Sequence, residues 1–451
     1  MDTSVPAQAS PTDSFSAQAL ERARHVIPGG SMRSSTWFAP HPPYARRGAG
    51  CYVEDLDGHR ILDCANNFFS LIHGHAFEPV VEAIRQVAGG GTAFGLPTVH
   101  EIELAEAIRW RSPRCEQIRF CNSGTEAVMN AIKGARGLTG RSRIAKFEGS
   151  YHGSYDYAEV SLASLPANWN DANGNPASVP YTHGTPASVL SDTVVLPYAD
   201  PDRLASILER EGPSLAAVLL DLVASRVGCV PMGGDSIAVV RDACRRHGIL
   251  LICDEVITFR LSWSGAHPLF GLEPDLIALG KVIGGGLPVG AVAGPVASMA
   301  VFDHTKGKPR VSAGGTFSAN PLSMAAGLAA MRAYDEAAVD RVNRLGEALR
   351  SSANKAFEEA GTAARMVGAG SLFRLHLTDK PVRDYRSAWM GEAGQRALAL
   401  IQRDMLDRGF LITPNCSGAL STPMDDSHVE ALVEQLRQAV SKAWASSPWT
   451  T

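Results

Sequence analysis

The sequence lacks the paired cysteines that disulfide frameworks and zinc sites require. Its eight cysteines stand at positions 51, 64, 115, 121, 229, 244, 253 and 416, and none belongs to a C-x-x-C pair. Several lie inside apolar runs, so we interpret them as reduced core thiols. This usage predicts a cytoplasmic protein without disulfides or a bound metal.

The sequence also lacks long apolar runs and a marked excess of charge. No run reaches the roughly 20 residues that span a membrane, and the first twenty residues carry no basic region followed by an apolar one. The formal net charge is −4, and 20% of the 451 residues are charged. We therefore expect neither a membrane nor a nucleic acid as a partner.

The chain alternates short apolar segments with helical periodicity from about residue 76. Helices are predicted between several of the apolar segments, for example over 201–210 and 236–247. Alternation of this kind predicts an α/β fold with a mostly parallel sheet wrapped by helices. The seven predicted strands cover residues 118–121, 143–147, 193–196, 215–221, 249–254, 276–280 and 289–293.

The length exceeds one small core, so we expect a large domain over residues 76–320 and a smaller C-terminal domain over 321–451. Residues 1–75 are expected to form an N-terminal segment that belongs to the small domain. Further predictions within these parts are a mobile tail over 1–18, a short helix ending at Pro28-Gly29-Gly30, a hairpin around Asp57-Gly58, and long helices over 338–360 and 393–408. The long polar segment 159–192 is interpreted as a lid, a partner contact or a disordered excursion.

Two of the apolar runs end at residues that could share chemistry. The run that begins at Ile249 leads to Asp254, and the run that begins at Leu276 leads to Lys281. Ligands of open α/β sheets bind at the carboxyl ends of the strands, so both residues are expected in one crevice. An ion pair would explain them. The alternative is a Schiff-base lysine with a carboxylate that holds a cationic ring nitrogen, as in pyridoxal phosphate (PLP) sites.

Two segments that follow predicted strands supply further candidate residues. The run from Asn122 to Glu126 opens a helix, where Ser123 and Glu126 fit a capping box and small residues could also bind a phosphate. Tyr151 and His152 lie between glycines, so Tyr151 could stack on an aromatic ring, although both could equally be hydrogen-bonded core residues. The run Gly284-Gly285-Gly286 lacks the G-x-G-x-x-G spacing of dinucleotide sites.

Taken together and in order, these motifs resemble the class III aminotransferases of PLP fold type I. The match includes Asn122 to Ala127, Tyr151-His152-Gly153, Asp254 to Ile257, Lys281, and Gly315-Thr316-Phe317 with Asn320-Pro321. It extends from about Pro28 to about Leu436. The resemblance is strongest to the branch that contains glutamate-1-semialdehyde aminomutase, β-amino-acid aminotransferases and D-phenylglycine aminotransferase.

The resemblance implies a role for each matched residue around PLP. Lys281 would bind the cofactor covalently and move a proton, while Asp254 would pair with the ring nitrogen. Tyr151 and Val256 would contact the two faces of the ring, with His152 beside them. Ser123, Gly124 and Thr125 would hold the phosphate, together with Thr316 of a neighbouring subunit, which implies a homodimer with the active site at the subunit interface.

The sequence departs from the family pattern at positions that would bind substrate. Asp221-Leu222 stands where many relatives have Glu-Pro, and Asn415 stands where many have a carboxylate-binding arginine. Arg33 aligns with the carboxylate-binding arginine of the β-amino-acid enzymes, and Trp37 lies nearby. We hypothesise that Arg226 binds the substrate carboxylate in place of the arginine that Asn415 replaces; the alternative is that Arg226 faces solvent.

The resemblance implies transfer of an amino group from an amino acid to a 2-keto acid by a ping-pong cycle. Trp37 and Phe38 favour an aromatic donor, and the alignment of Arg33 favours a β-amino acid. The main alternative is a glutamate-1-semialdehyde type of 2,1-aminomutase with the same cofactor. A nicotinamide-dependent oxidoreductase and a catalytically silent PLP-fold protein are the alternatives from other classes.

Overall fold

A computed structural model describes residues 14–305, 307–446 and 449. The strands are β1 (Ala45–Ala49), β2 (Tyr52–Asp55), β3 (Arg60–Asp63), β4 (Gln117–Cys121), β5 (Arg143–Phe147), β6 (Thr193–Leu196), β7 (Leu215–Leu220), β8 (Leu250–Asp254), β9 (Leu276–Gly280), β10 (Gly290–Gly294), β11 (Arg365–Val367), β12 (Leu372–His376), β13 (Phe410–Leu411) and β14 (Ser417–Ala419). The helices are α1 (Phe15–Arg24), α2 (Asn66–Phe69), α3 (Glu78–Ala88), α4 (Val99–Arg111), α5 (Gly124–Thr139), α6 (Asp156–Glu159), α7 (Ala187–Ser191), α8 (Pro201–Glu211), α9 (Gly234–His247), α10 (Val296–Met299), α11 (Pro321–Ala333), α12 (Glu336–Glu359), α13 (Gly391–Asp407) and α14 (Asp426–Ser446).

The central sheet has seven strands in the order β4-β10-β9-β8-β7-β5-β6. Strands β5 to β9 pair in parallel, and β10 is antiparallel to both of its neighbours. All seven predicted strands are present, and no strand end differs from the prediction by more than one residue. The mostly parallel α/β sheet is therefore confirmed.

Helices cover both faces of this sheet, as its continuous apolar strands require. On one face α5 packs its Ala131 and Ile132 against Leu219 and Ile252. The opposite face packs against α8 and α9. Because side chains alternate between faces along a strand, residues two positions beyond Leu219 and Ile252 emerge on the α5 face. Those residues are Asp221 and Asp254.

The N-terminal and C-terminal parts of the chain share a second core. The predicted hairpin is present as β2 and β3, which pair antiparallel, and β13 joins them in parallel. Leu62 and Cys64 pack with apolar residues of α12, α13 and α14. This shared core fits a small unit built from both ends of the chain, while the boundary after residue 320 stays a prediction. Helix α11, which directly follows that boundary, packs against α3 and α4.

The sequence predicts a mobile tail over residues 1–18, and this prediction is wrong for residues 14–18. Ser14 caps α1 by accepting a hydrogen bond from the Ala17 backbone, so the helix begins at Phe15. Asp57, in the turn between β2 and β3, accepts hydrogen bonds from the Phe15 backbone N–H at 2.5 Å and the Ser14 hydroxyl at 2.9 Å. A carboxylate contributed by the hairpin thus holds the helix start. Residues 1–13 of the predicted tail lie outside the described residues.

Membrane spans and metal clusters are both absent from the part of the chain that the structure describes. Among these residues, no helix is long and apolar enough to cross a membrane. Within the same residues, no group of three or more histidine, cysteine, aspartate or glutamate side chains is arranged to hold a metal ion.

Candidate active site

Asp254 ends β8 at the carboxyl edge of the central sheet and is only 6% exposed. One of its oxygens, Oδ2, lies 2.7 Å from Nδ1 of His152. The other, Oδ1, accepts a hydrogen bond from the Val256 backbone at 3.0 Å. A carboxylate oxygen can accept more than one hydrogen bond, so Asp254 can still receive a cationic ring N–H.

Two polar atoms of the segment that includes His152 are buried without a hydrogen-bond partner among the described residues. They are Nε2 of His152 and Oγ of Ser150. Burial lowers the pKa of His152 below its usual value, against the opposing effect of Asp254. A neutral imidazole whose Nδ1–H points at Asp254 leaves Nε2 as an unused acceptor. Buried unpaired atoms of this kind mark a place where a ligand or water completes the structure.

Lys281 follows β9 directly and has a left-handed backbone conformation, with φ of 49°. Such a conformation costs free energy for a residue with a side chain and is typical of functional sites. Burial lowers the pKa of the Lys281 amine, while the nearby Asp254 and Asp221 oppose that effect. Strands β8 and β9 are parallel neighbours with Asp254 opposite Ala278, so Asp254 and Lys281 lie at the same edge of the sheet, which supports their predicted convergence on one crevice.

Asp221 adds a second carboxyl group beside Asp254. Leu220 and Cys253 are partners in the parallel pair of β7 and β8, so the next residues along, Asp221 and Asp254, lie side by side. Asp221 is 5% exposed, and its Oδ1 accepts a hydrogen bond from the Val223 backbone. Burial and then Asp254 raise the pKa of Asp221 well above its usual value. A sequence signal for this residue exists, because Asp221 also ends an apolar strand.

The N-terminus of α5 lies against the same crevice. Ser123 caps the helix by accepting a hydrogen bond from the Glu126 backbone at 3.2 Å. Glu126 reaches back to the backbone of Asn122, one residue earlier than the predicted capping box. A Cβ on Gly124 would lie 2.9 Å from Val256, and one on Gly280 would lie 3.6 Å from the Gly124 Cα. Gly124 at the start of α5 therefore lies close to Val256, which follows Asp254 by two positions, and to Gly280, which precedes Lys281.

Thr125 and Tyr151 complete the region expected to contact a cofactor. The Thr125 hydroxyl accepts a hydrogen bond from the Ser154 backbone at 3.2 Å. Gly153 has φ of +90°, and a Cβ there would lie 2.5 Å from that hydroxyl, so glycine is required. Tyr151, two residues before Gly153 and adjacent to His152, is 42% exposed. An aromatic face accessible to solvent at this point can stack on a flat ligand.

These described residues fit PLP. The free N–H groups at the start of α5 suit its phosphate, and buried Asp254 suits its ring nitrogen. Tyr151 offers a ring to stack on it, and the amine of Lys281 is the nucleophile for its aldehyde. The unpaired atoms of Ser150 and His152 lie in the same segment as Tyr151.

The loop that contains Thr316 lies beside the same helix start. Thr316 is exposed, and a Cβ on its neighbour Gly315 would lie 3.1 Å from the Asn122 amide nitrogen. Asn320 ends the loop and caps α11 by accepting a hydrogen bond from the Ser323 backbone. The contribution of Thr316 to the active site of a partner subunit stays a prediction.

The predicted carboxylate-binding Arg33 lies next to an unusual turn. Its Nη1 donates to Oδ1 of Asn67 at 2.8 Å, and its guanidinium lies 5.6 Å from the ring centre of Phe68. All four residues of α2, from Asn66 to Phe69, have positive φ, between 46° and 70°. Trp37, which directly follows the short helical turn after Arg33, is 38% exposed. No sequence pattern indicated the contact between Arg33 and Asn67.

Arg226 and Asn415 have different surroundings. Arg226 is exposed, and its side chain makes no hydrogen bond or ion pair with the described residues, while its carbonyl accepts a hydrogen bond from Arg374. The amide oxygen of Asn415 accepts hydrogen bonds from the hydroxyls of Thr413 at 2.6 Å and Ser417 at 2.7 Å. Only the amide nitrogen of Asn415 is therefore left for a ligand.

The sequence of this chain matches a known protein family and named relatives. The model for "Aminotransferase class-III" matches residues 36–422. Glutamate-1-semialdehyde 2,1-aminomutase of Methanothermobacter thermautotrophicus is 36% identical over 432 residues, which cover 94% of this chain and 99% of that protein.

Solved structures resemble the whole chain. An omega-transaminase from Sphaerobacter thermophilus is 46% identical, with a TM-score of 0.93 over 96% of this chain and 98% of that one. A transaminase with PLP bound is 38% identical, with a TM-score of 0.87 and the same coverage of 96% and 98%. The β-phenylalanine aminotransferase of Variovorax paradoxus is 31% identical, with a TM-score of 0.85 over 95% and 94%.

Proposed function

Since this chain belongs to the class III aminotransferases, has PLP fold type I and uses PLP as its cofactor, we propose that it is an aminotransferase. Its amino donor would be a β-amino or aromatic amino acid and its acceptor a 2-keto acid. The observation that carries the proposal is the meeting of Lys281, Asp254 and the start of α5 at one edge of the sheet. The alternation between donor and acceptor would follow a ping-pong cycle.

Each cofactor contact is assigned to a residue of this chain. Ser123, Gly124 and Thr125 would hold the phosphate, because the start of α5 presents its free N–H groups there. Asp254 would hold the ring nitrogen, and Tyr151 and Val256 would contact the ring faces. When bound, PLP supplies an electron sink for the carbon that carries the amino group.

Lys281 would move the proton that the reaction transfers. Burial lowers the pKa of its amine, which raises the neutral fraction that can accept a proton. His152 would donate a hydrogen bond to Asp254 and so keep that carboxylate directed at the cofactor. The Lys281→Ala variant is expected to lose turnover, whereas Lys355→Ala, a change at an exposed surface lysine, is expected to retain it.

The substrate assignment rests on Arg33 and its surroundings. Arg33 is exposed, lies beside the Phe68 ring and forms no ion pair with the described residues, so its charge is available for a substrate carboxylate. Trp37 would add an aromatic wall. Arg226 and the amide nitrogen of Asn415 would provide second polar contacts.

Two further properties belong to this proposal. We propose a homodimer in which Thr316 of one subunit contacts the phosphate bound by the other, since Thr316 and Phe317 are exposed beside the start of α5. We also propose a cytoplasmic location, in keeping with eight buried cysteines.

The second candidate is a glutamate-1-semialdehyde type of 2,1-aminomutase. It is favoured by the name of the Methanothermobacter relative, which matches almost the entire chain. That name supports the aminomutase more directly than it supports any particular transaminase substrate. The 46% identity to the Sphaerobacter omega-transaminase is the observation that favours transfer.

One experiment separates the two reactions. The purified protein is incubated with single amino donors until the visible absorbance of the lysine-bound cofactor disappears, and a 2-keto acid is then added. Aminotransfer predicts that the absorbance returns only with the keto acid and that a new amino acid forms. Isomerisation of glutamate-1-semialdehyde without any acceptor would establish the aminomutase instead.

A further inference from the structure

A segment in the C-terminal part of the chain contacts the residues just before Tyr151. This segment, residues 384–389, lies between β12 and α13 and includes Tyr385, Arg386 and Trp389. It contacts Glu148 and Gly149, which directly follow β5. Those two residues connect the central sheet to Ser150, Tyr151 and His152.

Arg386 makes the closest of these contacts. Its Nε lies 2.7 Å from Glu148 Oε2, and its Nη2 lies 3.2 Å from Oε1. Glu148 is 4% exposed and also accepts a hydrogen bond from the Ser164 hydroxyl at 3.1 Å. A buried carboxylate must be paired, and a two-pronged arginine fixes both its position and its orientation.

The same arginine also binds the long segment 159–192. Its guanidinium donates to the Asn170 side chain and to the Trp169 carbonyl, each at 2.8 Å. Trp169 packs its ring edge against Trp389. Arg386 therefore connects Glu148 with a second segment, so that neither can shift alone.

Tyr385 fixes the next residue, Gly149. Gly149 has φ of +74°, and a Cβ there would lie 2.2 Å from the Tyr385 ring, so that ring occupies the space that a side chain would take. The Tyr385 hydroxyl donates to the Ser164 carbonyl at 2.9 Å. The ring thus lies directly on a glycine backbone two residues before Tyr151.

We propose that Tyr385 and Arg386 are positioning residues that hold the segment Gly149–His152 against PLP. The inference rests on the proposed cofactor contacts of Tyr151 and His152. At its far end this segment is held by the contact of His152 with Asp254 and by the packing of Gly153 against Thr125. At its near end, where Gly149 has positive φ, the restraint is supplied by Arg386 at Glu148 and by Tyr385 at Gly149.

The test compares cofactor affinity in Arg386→Met with a matched control. Arg143→Met breaks the Arg143–Glu211 pair, which lies at the opposite end of the same strand, β5, and has a 2.6 Å contact and a similarly buried arginine. PLP is removed from each full-length protein and titrated back, with binding followed by absorbance and tryptophan fluorescence. Arg386→Met should bind PLP about tenfold more weakly or worse, and Arg143→Met should bind it as the wild type does.

Further variants keep the test decisive. Arg386→Lys retains the charge but lacks the two-pronged geometry, so its loss of PLP affinity should be intermediate. This variant replaces Arg386→Met in the comparison if Arg386→Met does not fold. Tyr385→Phe retains the ring and should bind PLP normally, while Tyr385→Ala should bind it more weakly. Equal PLP affinity in Arg386→Met, Arg386→Lys and wild type would overturn the inference, as would equal losses in Arg386→Met and Arg143→Met.

The Tyr151→Ala variant distinguishes failure of the positioning role from failure of the proposed cofactor site. If Tyr151→Ala weakens PLP binding and the Arg386 variants do not, the cofactor site stands and the positioning role is refuted. If Tyr151→Ala leaves PLP binding unchanged, the cofactor contact on which the inference rests is itself refuted.

Discussion

Asp221 and Asp254 end neighbouring parallel strands and lie side by side, both almost completely buried. Adjacent strands are about 4.8 Å apart, so two ionised carboxylates at this spacing would repel each other strongly. Asp254 has two hydrogen-bond donors, His152 and the Val256 backbone, whereas Asp221 has the Val223 backbone. Burial and the neighbouring Asp254 raise the pKa of Asp221 well above its usual value, which favours the neutral form of Asp221 beside the residue proposed to pair with the cofactor nitrogen.

Asp221 should make stability depend on pH. Its pKa in the folded protein is raised by burial and by Asp254, so its favourable contribution is complete below the unfolded value, near 4, and is lost as pH rises through the folded value. Asp221→Asn should flatten the decline in unfolding free energy by about 1 kcal/mol per pH unit over that range. Urea unfolding of the cofactor-free protein at a series of pH values measures this slope.

The control for that prediction is Asp202→Asn, an exposed position in α8. It should leave the slope unchanged. If the unfolding free energies of Asp221→Asn and wild type decline in parallel as pH rises, the pKa of Asp221 is not raised in the folded protein and the neutral form assigned to Asp221 is incorrect.

Replacing His152 should weaken PLP binding by more than the accompanying loss of unfolding free energy would explain. Its Nδ1–H donates to the Asp254 carboxylate, and a hydrogen bond to a charged group contributes about 1.5 to 3 kcal/mol. His152→Ala should therefore weaken PLP binding about tenfold or more, measured as the dissociation constant by titration. His267 offers a matched control, since it pairs with buried Glu255 at the same distance of 2.7 Å.

His267→Ala should lower the unfolding free energy to a similar extent and leave the PLP dissociation constant within about twofold of wild type. Equal loss of PLP affinity in both variants would show that His152 acts through general stability rather than through Asp254.

The residues proposed to bind the cofactor could be selected from the sequence because most of them end an apolar strand or open a helix. Parallel strands bring their carboxyl ends to one edge, so Asp254 and Lys281 could be placed together without a structure. Tyr385 and Arg386 could not be placed, because no local pattern connects them with Gly149 and Glu148, more than two hundred positions earlier. The left-handed turn at Asn66 to Phe69 could not be predicted from the sequence either, since none of its residues is glycine.

The contact between Gly149 and Tyr385 predicts a compensating pair of substitutions. Gly149→Ala introduces a Cβ into the Tyr385 ring and a side chain at positive φ, and overpacking of this kind costs about 1 to 3 kcal/mol. Adding Tyr385→Ala removes the clash but leaves the backbone strain. The double variant should therefore lose less unfolding free energy than the two single variants lose together, measured by urea denaturation of all four proteins. Strictly additive losses would show that the ring and the new methyl group do not meet.

Asn67 should control how Arg33 binds a substrate carboxylate. Asn67 accepts a hydrogen bond from Arg33 Nη1 at 2.8 Å, and its backbone is left-handed, with φ of 46°. Asn67→Asp would place a negative charge against Arg33, at the position that competes with a substrate carboxylate. Asn67→Gly would remove the side chain without backbone strain.

The two variants should differ for donors with a carboxylate and agree for donors without one. Asn67→Asp should raise the KM for a β-amino acid about tenfold or more and leave the KM for an arylalkylamine that lacks a carboxylate close to wild type. Asn67→Gly should have a smaller effect, since Arg33 keeps its charge and loses only orientation. Arg33→Ala serves as the reference, because it should raise the KM for the β-amino acid alone. If Asn67→Asp slows both donors equally, the turn at Asn66 to Phe69 supports the fold, and the carboxylate binds elsewhere, with Arg226 as the next position to replace.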